Sequence, residues 1–207
     1  VELNGTARLY RFASIGFEGT QTLTGNATIE FQGNIPGDYG VLEMVSAGTL
    51  TLAPSVLVHG GYGTIGGSRN WGAAMTLINQ GTIRADVSGR WLQVGDGARL
   101  SSLSNSGVIE AINGATLYVR APEVTNQAGA RLSAPSGTLD IAGPSFTNAG
   151  ALEVSGGSAV IGVTEWTSPG SLAISAGGLT LGGTFALADF GSVSHTGGSV
   201  TINGLVD

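Results

Sequence analysis

The sequence predicts an all-β fold, a right-handed parallel β-helix that forms a three-sheet solenoid with about 21 residues per rung. Three observations lead to this prediction. A motif of asparagine, glycine and an alternating strand recurs along the chain, each period holds two further short strands, and no period holds a helical pattern. The composition agrees, because 36 glycines supply turns while 42% hydrophobic residues are enough to form a core.

The asparagine motif marks the start of the first strand in each period. Its copies begin at Asn79, Asn105, Asn126 and Asn148, and the third copy has one extra residue, which we interpret as a bulge. Asparagine tolerates the left-handed backbone of a turn, and stacked amides can hydrogen-bond between rungs. We therefore predict a structural turn ladder, with a ligand-binding row of amides as the alternative.

Two further strands complete each period. Counting backwards from the clear repeats assigns Leu50-Thr51-Leu52 and Ile29-Glu30-Phe31 to the second strand, and the third strand ends just before each asparagine. Equivalent strands then stack in parallel, and crossovers between parallel strands are almost always right-handed. The later second strands are centred on Gln93, Tyr118, Asp140, Val160, Thr180 and Thr201.

The first strand alternates inward and outward residues. Its inward positions form two apolar spines, one with Ile83, Ile109, Ala130 and Leu152 and the other with Ala85, Ala111, Leu132 and Val154. Its outward position carries Arg84, Glu110, Arg131 and Glu153. Opposite charges therefore alternate along the rod, and we predict an outward charge ladder that pins the register, although exposed pairs stabilise only weakly. The alternative is a mixed-charge site for a carbohydrate or a protein.

Two parts of the chain depart from the repeat. Residues 1–19 do not match it and are predicted to form an N-terminal cap or an assembly segment. Residues 20–207 are predicted to form the solenoid, with an irregular glycine-rich stretch near 60–72 that loops out. This stretch carries Tyr62 and Trp71, and Tyr118 points outward from a later strand. These three aromatics are candidate ligand-facing residues, for example for sugars, and the alternative is that they are ordinary surface residues.

Composition and charge exclude several classes of function. The net charge of −6 argues against a nucleic-acid groove, which needs clustered cations, and against docking on an anionic membrane. With no cysteine and only His59 and His195, neither of which has a partner motif, we expect no metal site and no cofactor. Glu110 and Asp140 are predicted on different faces, so we expect no catalytic pair and no enzyme activity.

The repeat itself has a recognisable form. The pattern N-x-G-[TVA]-[IL]-x-[AV] followed by G-x-L-x-[VI] resembles the degenerate β-helix repeats of large bacterial surface proteins, namely filamentous-haemagglutinin-like adhesins and autotransporter passenger domains. The resemblance covers residues 74–207 clearly and residues 20–60 loosely. It implies a non-enzymatic structural or adhesive rod segment of a secreted or cell-surface protein, outside the bacterial cell. The partners that it implies are a host or matrix glycan or protein.

The two ends of the sequence suggest further expectations. The chain begins at Val1 rather than at methionine, which is typical of a mature or excised piece, and it stops directly after a strand. We expect that the rod continues beyond Asp207 or that copies of the chain stack end to end at this edge. One alternative function is therefore a subunit of a self-assembling extracellular filament. A second alternative is a polysaccharide-binding or polysaccharide-degrading protein, because parallel β-helices include polysaccharide lyases and hydrolases.

Overall fold

The fold is an all-β parallel solenoid of about nine turns with about 23 residues per turn and almost no helix. This computed structural model describes residues 1–206, except for the side chain of Leu187, so Asp207, the last residue of the predicted solenoid, lies outside the described residues. The predicted fold class is confirmed, but the period is longer than the predicted 21 residues because several corners carry extra residues. The right-handed sense stays a prediction.

Each turn contains three strand segments, and in turns six to eight neighbouring segments join into longer strands. Turn one has β1 (Gly5–Leu9), β2 (Ser14–Glu18) and β3 (Gln21–Leu23), turn two has β4 (Ala27–Gln32), β5 (Gly40–Ser46) and β6 (Gly48–Leu52), and turn three has β7 (Leu57–Gly61), β8 (Gly63–Ile65) and β9 (Met75–Asn79). Turn four has β10 (Thr82–Ala85), β11 (Trp91–Val94) and β12 (Leu100–Asn105), and turn five has β13 (Val108–Ala111), β14 (Thr116–Arg120) and β15 (Glu123–Asn126). Turn six has β16 (Arg131–Ala134) and the long β17 (Thr138–Asn148), and β18 (Ala151–Leu181) runs through turn seven and most of turn eight, which ends with β19 (Thr184–Phe185). After a short 3-10 turn at Leu187–Asp189, turn nine has β20 (Phe190–His195), β21 (Ser199–Ile202) and β22 (Leu205–Val206).

Equivalent strands of successive turns pair in parallel, which gives three faces. Face A contains the first strand of each turn, face B the second and face C the third. For example, β1, β4, β7 and β10 follow one another on face A, whereas β2, β5, β8 and β11 follow one another on face B. Side chains alternate between the core and the surface along each strand, as in the six residues of β4.

The core is a continuous stack of aliphatic side chains, and its register corrects the predicted spines. Leu132, not Ala130, lies between Ile109 and Leu152, and Ala134 replaces Leu132 in the second spine. The motif after Asn126 holds two extra residues rather than one, because Gln127 and Ala130 close a β-turn through an N–H to carbonyl bond of 3.0 Å. Each buried aliphatic side chain stabilises the fold by about 1.5–3 kcal/mol.

The first two turns also differ from the sequence prediction. Residues 1–19 are not outside the repeat, because β1 and β2 pair in parallel with β4 and β5 of turn two. Ile29 lies on face A beside Val58, and Leu50 lies on face C beside Leu77, so neither belongs to the second strand. The predicted register shifted because residues 66–74, between β8 and β9, lengthen the turn before Gln93, and the long corner that links β4 to β5 lengthens the turn before Leu50. A role of residues 1–19 in assembly stays a prediction.

The glycine-rich stretch near 60–72 is more regular than predicted. Most of its first half lies in β7 and β8, and only residues 66–74 leave the faces before β9 begins. This segment, which we call the β8–β9 loop, folds back over the side of face B. The ring of Trp71 packs so closely on Gly16 that a methyl group at that position would lie 2.6 Å from the ring.

A buried carboxylate holds the β8–β9 loop in place. Glu43 is fully buried and accepts backbone N–H bonds from Arg69 at 2.8 Å, Trp71 at 2.9 Å and Asn70 at 3.1 Å. Burial raises the pKa of Glu43, but these three N–H groups and the Ser14 hydroxyl lower it by more, so its pKa lies below the ordinary value of 4.5. The loop is therefore anchored by an ionised side chain.

A column of asparagine amides runs beside the apolar core at the end of face C. The side-chain Nδ2 of each residue donates to the side-chain oxygen of the next, from Asn79 to Asn105 at 2.7 Å, from Asn105 to Asn126 at 2.8 Å and from Asn126 to Asn148 at 2.8 Å. Asn148 donates in turn to the Ser168 hydroxyl at 2.9 Å. All five side chains are buried, so this amide ladder offers no row of groups to a ligand.

The asparagines act through these hydrogen bonds and not through backbone conformation. Positive φ outside glycine occurs, among the described residues, at Phe12, Tyr62 and Asn113, and none of these belongs to the amide ladder. The prediction that the ladder asparagines adopt the left-handed backbone of a turn is therefore wrong. Each Nδ2 reaches a backbone carbonyl as well, as Asn126 does with Ala151 at 3.2 Å, and this second bond ties face C of turn five to the start of β18 on face A of turn seven.

Replacement of Glu43 by glutamine tests the anchor of the β8–β9 loop. We expect Glu43→Gln to lower the free energy of unfolding by about 1–3 kcal/mol near neutral pH, because an NH₂ group would face backbone N–H donors. The folded pKa of Glu43 is lowered, so its contribution is present above about pH 4.5 and is lost as the pH falls through the folded pKa. Urea unfolding at several pH values measures both effects. Glu123→Gln, at an exposed position of β15, is the control, and a deficit that persists in acid would contradict the expectation.

Replacement of Asn126 by alanine tests the amide ladder. We expect a loss of about 1–3 kcal/mol in the free energy of unfolding, because the Asn105 amide loses its acceptor and the Asn148 oxygen loses its donor in a buried site. Urea unfolding followed by tryptophan fluorescence measures this loss. Gln127→Ala is the matched control, because that side chain is exposed and makes one bond, to Ser104. Equal stability of the two variants would refute the ladder's contribution.

Candidate functional site: a polar cleft at the corner of faces A and B

The predicted charge ladder exists as a chain of ion pairs on face A. Arg84 bonds to Glu110 at 2.6 Å, and Arg131 reaches both Glu110 at 3.6 Å and Glu153 at 3.5 Å. The register differs from the prediction, because Arg131 lies opposite Val108 and not opposite Glu110. The two extra residues after Asn126 cause this shift, and the long arginine side chain spans it. Glu110 is nearly buried, whereas Arg131 and Glu153 are over 40% exposed and stabilise only weakly.

The same column continues toward turn one through residues that the sequence analysis missed. Arg8, Glu30 and His59 occupy the outward positions before Arg84 on face A. The Nε atom of Arg8 lies 2.9 Å from a carboxylate oxygen of Glu30. Each of the three residues stands between two small or apolar residues, as Arg84 does. That triplet could have indicated from the sequence that these residues continue the charge ladder. The shifted register, however, led to the prediction that Glu30 lies on face B.

His59 forms a close pair with Asp86, which directly follows β10. The Nδ1 atom of His59 lies 2.8 Å from a carboxylate oxygen of Asp86, and both side chains are about one-fifth exposed. The hydrogen bond to Asp86 raises the pKa of His59 above its ordinary value of 6.5, and burial opposes it. The charge of Asp86 and that of Glu30 raise the pKa further, whereas Arg84 lowers it. His59 therefore has a partner that the sequence analysis did not find.

The His59–Asp86 pair lines a cavity of about 330 Å³, which we call the corner cleft. It lies where face A turns toward face B in turns one to four. Its lining combines one exposed aromatic ring with carboxylate, amide, imidazole and guanidinium groups. The main side chains that line it are Tyr10, Glu30, Gln32, Asn34, His59, Asp86 and Arg90.

Backbone packing and one arginine shape the corner cleft. Gly60 has a φ of 119°, and a side chain there would collide with the backbone of Phe31, so only glycine lets turns two and three approach so closely. The Arg90 guanidinium donates to the carbonyl oxygen of Gly33 and so connects the corner after β4 to the corner before β11. Both walls of the cleft are therefore formed before any ligand arrives.

A stack of aromatic rings and two arginines lies beside the corner cleft. Trp91 packs against Tyr39 and Tyr62 with ring centroids 5.6 Å apart in each case. The guanidinium carbon of Arg69 lies 4.7 Å from the Tyr39 ring and 4.7 Å from the ring of Phe12. The guanidinium carbon of Arg90 lies 5.6 Å from the centre of the Tyr62 ring. Tyr62, a predicted ligand-facing residue, is therefore half-buried in this stack and joins the corners of turns two to four.

The other two predicted aromatics lie apart from the corner cleft. Trp71 is 44% exposed on the β8–β9 loop, where it covers Gly16. Tyr118 is half-buried at an outward position of β14, with the Arg120 guanidinium 4.9 Å from its ring centre. Arg120 also pairs with Asp140 at 2.9 Å, so Asp140 on face B is far from forming a pair with Glu110 on face A.

Two further observations concern metal-binding side chains and membrane-spanning helices. Among residues 1–206, no group of three or more histidine, cysteine, aspartate or glutamate side chains is arranged to bind a metal ion. In the same part of the chain, no helix has the length and apolar character needed to cross a membrane.

Comparisons with protein-family models, with curated proteins and with solved structures gave no match. The function must therefore be argued from the geometry of the solenoid and of the corner cleft.

Replacement of His59 by glutamine tests the pair in the corner cleft. Glutamine keeps an N–H donor for Asp86 but does not titrate. Because the folded pKa of His59 is raised, its extra stability is fully present below about pH 6.5 and is lost as the pH rises through the folded pKa. We expect wild type to exceed His59→Gln in Tm by about 2–4 °C below pH 6.5 and by less at alkaline pH. Asp86→Asn should remove the pH dependence of this difference, and a gap that widens with rising pH would contradict it.

Proposed function

We propose that the chain is a structural and adhesive rod segment of a bacterial cell-surface or secreted protein, and that it acts without catalysis. The observation that carries this proposal is the continuous parallel pairing of strands from turn one to turn nine, with one core that runs through turns one to eight. Nine rungs at the spacing of stacked strands give a rod of about 40 Å. Such a rod holds attached segments apart and presents long lateral faces, as the resemblance to surface β-helix repeats also implies.

The exterior of the rod supports the same proposal. Most charged side chains of face A form ion pairs with one another, from Arg8 and Glu30 to Arg131 and Glu153. This pairing favours a stable outer surface. The corner cleft is one part of this surface where polar groups surround a cavity. An adhesive role therefore needs no reactive group, only a ligand that fits a site on the lateral surface.

A second candidate is a subunit of an extracellular filament. Three residues of turn nine occupy inward positions but are exposed, Val193 at 57%, Val200 at 38% and Ile202 at 54%. They continue the rows of Leu172, Leu179 and Leu181, which are buried. An exposed apolar edge of this kind favours contact with one more solenoid turn. A second copy of the chain can supply that turn.

Adhesion of the purified chain tests the leading proposal. Beads coated with the chain should be retained on epithelial cells or on extracellular matrix several-fold more than beads coated with albumin, and a polysaccharide panel should show no new reducing or unsaturated ends. Retention no higher than albumin would contradict the adhesive role, and new ends would contradict the absence of catalysis. Electron microscopy of the same preparation over a concentration series decides the second candidate, since long fibres would support it and short rods at every concentration would refute it.

A further inference from the structure

We infer that the corner cleft binds a neutral saccharide, with Tyr10 as the stacking surface and with His59 and Asp86 as hydrogen-bonding partners. This inference deepens the proposed adhesive function and rests on it, because it names the ligand class that the rod would hold. Four observations carry it: the exposed ring, the free polar atoms, the balance of charge and the preformed walls.

Tyr10 supplies the stacking surface. Its side chain is 54% exposed although it belongs to the lining of the cavity, so the ring is not used to hold the fold together. The backbone at this point is fixed, because the N–H of Ala13 donates to the Tyr10 carbonyl at 2.8 Å. The electron-rich face of an aromatic ring attracts polarised C–H groups, which line one side of a pyranose ring.

Polar atoms without protein partners belong to residues that line the same cavity as Tyr10. Within residues 1–206, no hydrogen bond involves Nε2 of His59, the second carboxylate oxygen of Asp86 or the second carboxylate oxygen of Glu30. The carboxylate oxygens accept hydrogen bonds, and Nε2 accepts when the imidazole is neutral and donates when it is protonated. Sugar hydroxyls both donate and accept, so they match this set. The side-chain amides of Gln32 and Asn34 add donors and acceptors at the rim.

The balance of charge selects a neutral ligand. Glu30 is paired with Arg8, Asp86 is paired with His59, and the Arg90 guanidinium donates one hydrogen bond to the neutral carbonyl of Gly33, so the charges around the cavity nearly balance. A sulfated or phosphorylated ligand would meet the carboxylates of Glu30 and Asp86, against the single guanidinium of Arg90 among the lining residues. The net charge of −6 on the whole chain also opposes polyanions.

The size and rigidity of the corner cleft agree with a small ligand. A volume of about 330 Å³ lies at the lower end of the range of about 300–1,000 Å³ that is typical of ligand sites. Gly60 and Arg90 fix the two walls, so binding does not require the chain to reorder. A short stretch of saccharide is therefore favoured over a long chain that lies in a continuous groove.

A glycan array followed by titration tests the inference. The intact chain is applied to immobilised neutral oligosaccharides with glucose, galactose, mannose, N-acetylglucosamine and fucose ends, and to sulfated and sialylated ones. We expect signal on neutral glycans and none on acidic ones. Calorimetric titration with the strongest neutral glycan should then give saturable binding, weakened about tenfold or more by Tyr10→Ala and by Asp86→Asn. Tyr10→Phe keeps the ring and should bind within about threefold of wild type.

Tyr118→Ala is the matched control, since it removes a half-buried outward tyrosine from another part of the rod and should leave binding unchanged. Melting curves establish that each variant is folded. Absence of signal on every neutral glycan, preference for acidic glycans, or neutral-glycan binding that survives both Tyr10→Ala and Asp86→Asn would overturn the inference. If coated beads still adhere to cells in those cases, the proposed adhesive rod stands without this site. If adhesion is also absent, both fail.

Discussion

The parallel register between successive turns is the constraint on which the rest of the structure depends. Because each residue lies beside its counterpart one turn later, a single position in the repeat becomes a row along the rod. Rows of aliphatic side chains form the core, a row of asparagines forms the amide ladder, and a row of opposite charges forms the ion pairs of face A. A change of register by one residue would exchange the inward and outward sets at once.

The sequence predicted the parts of the fold that repeat without interruption. The asparagine positions from Asn79 onward, the outward position of Tyr118 and the pairing of Arg84 with Glu110 all follow from a regular spacing of side chains. The prediction failed where corners change length, since a corner consumes residues without adding a strand. The extra residues after Asn126 displaced the inward spine. The β8–β9 loop and the corner after β4 caused Ile29, which lies on face A, to be predicted on face B.

The corner cleft shows the same division. None of its residues forms a motif along the chain, because Tyr10, His59 and Asp86 come from turns one, three and four and meet only through the stacking of corners. Periodicity predicts which residues share a face, but it does not predict how irregular corners meet. The histidine and its aspartate partner are 27 residues apart, so a search for local partner motifs could not join them.

The first residue of the amide ladder has a consequence for how this rod can be changed. The side-chain oxygen of Asn79 has no partner among the described residues, because Leu52 occupies the equivalent place one turn earlier. Every amide in the column donates in the same sense, so the column has a polarity that begins at Asn79 and ends on the Ser168 hydroxyl. A turn duplicated within this stretch would preserve that polarity only if its residue both accepts and donates, whereas a turn carrying leucine would divide the column in two. Modular as it is, the rod is not a set of interchangeable units.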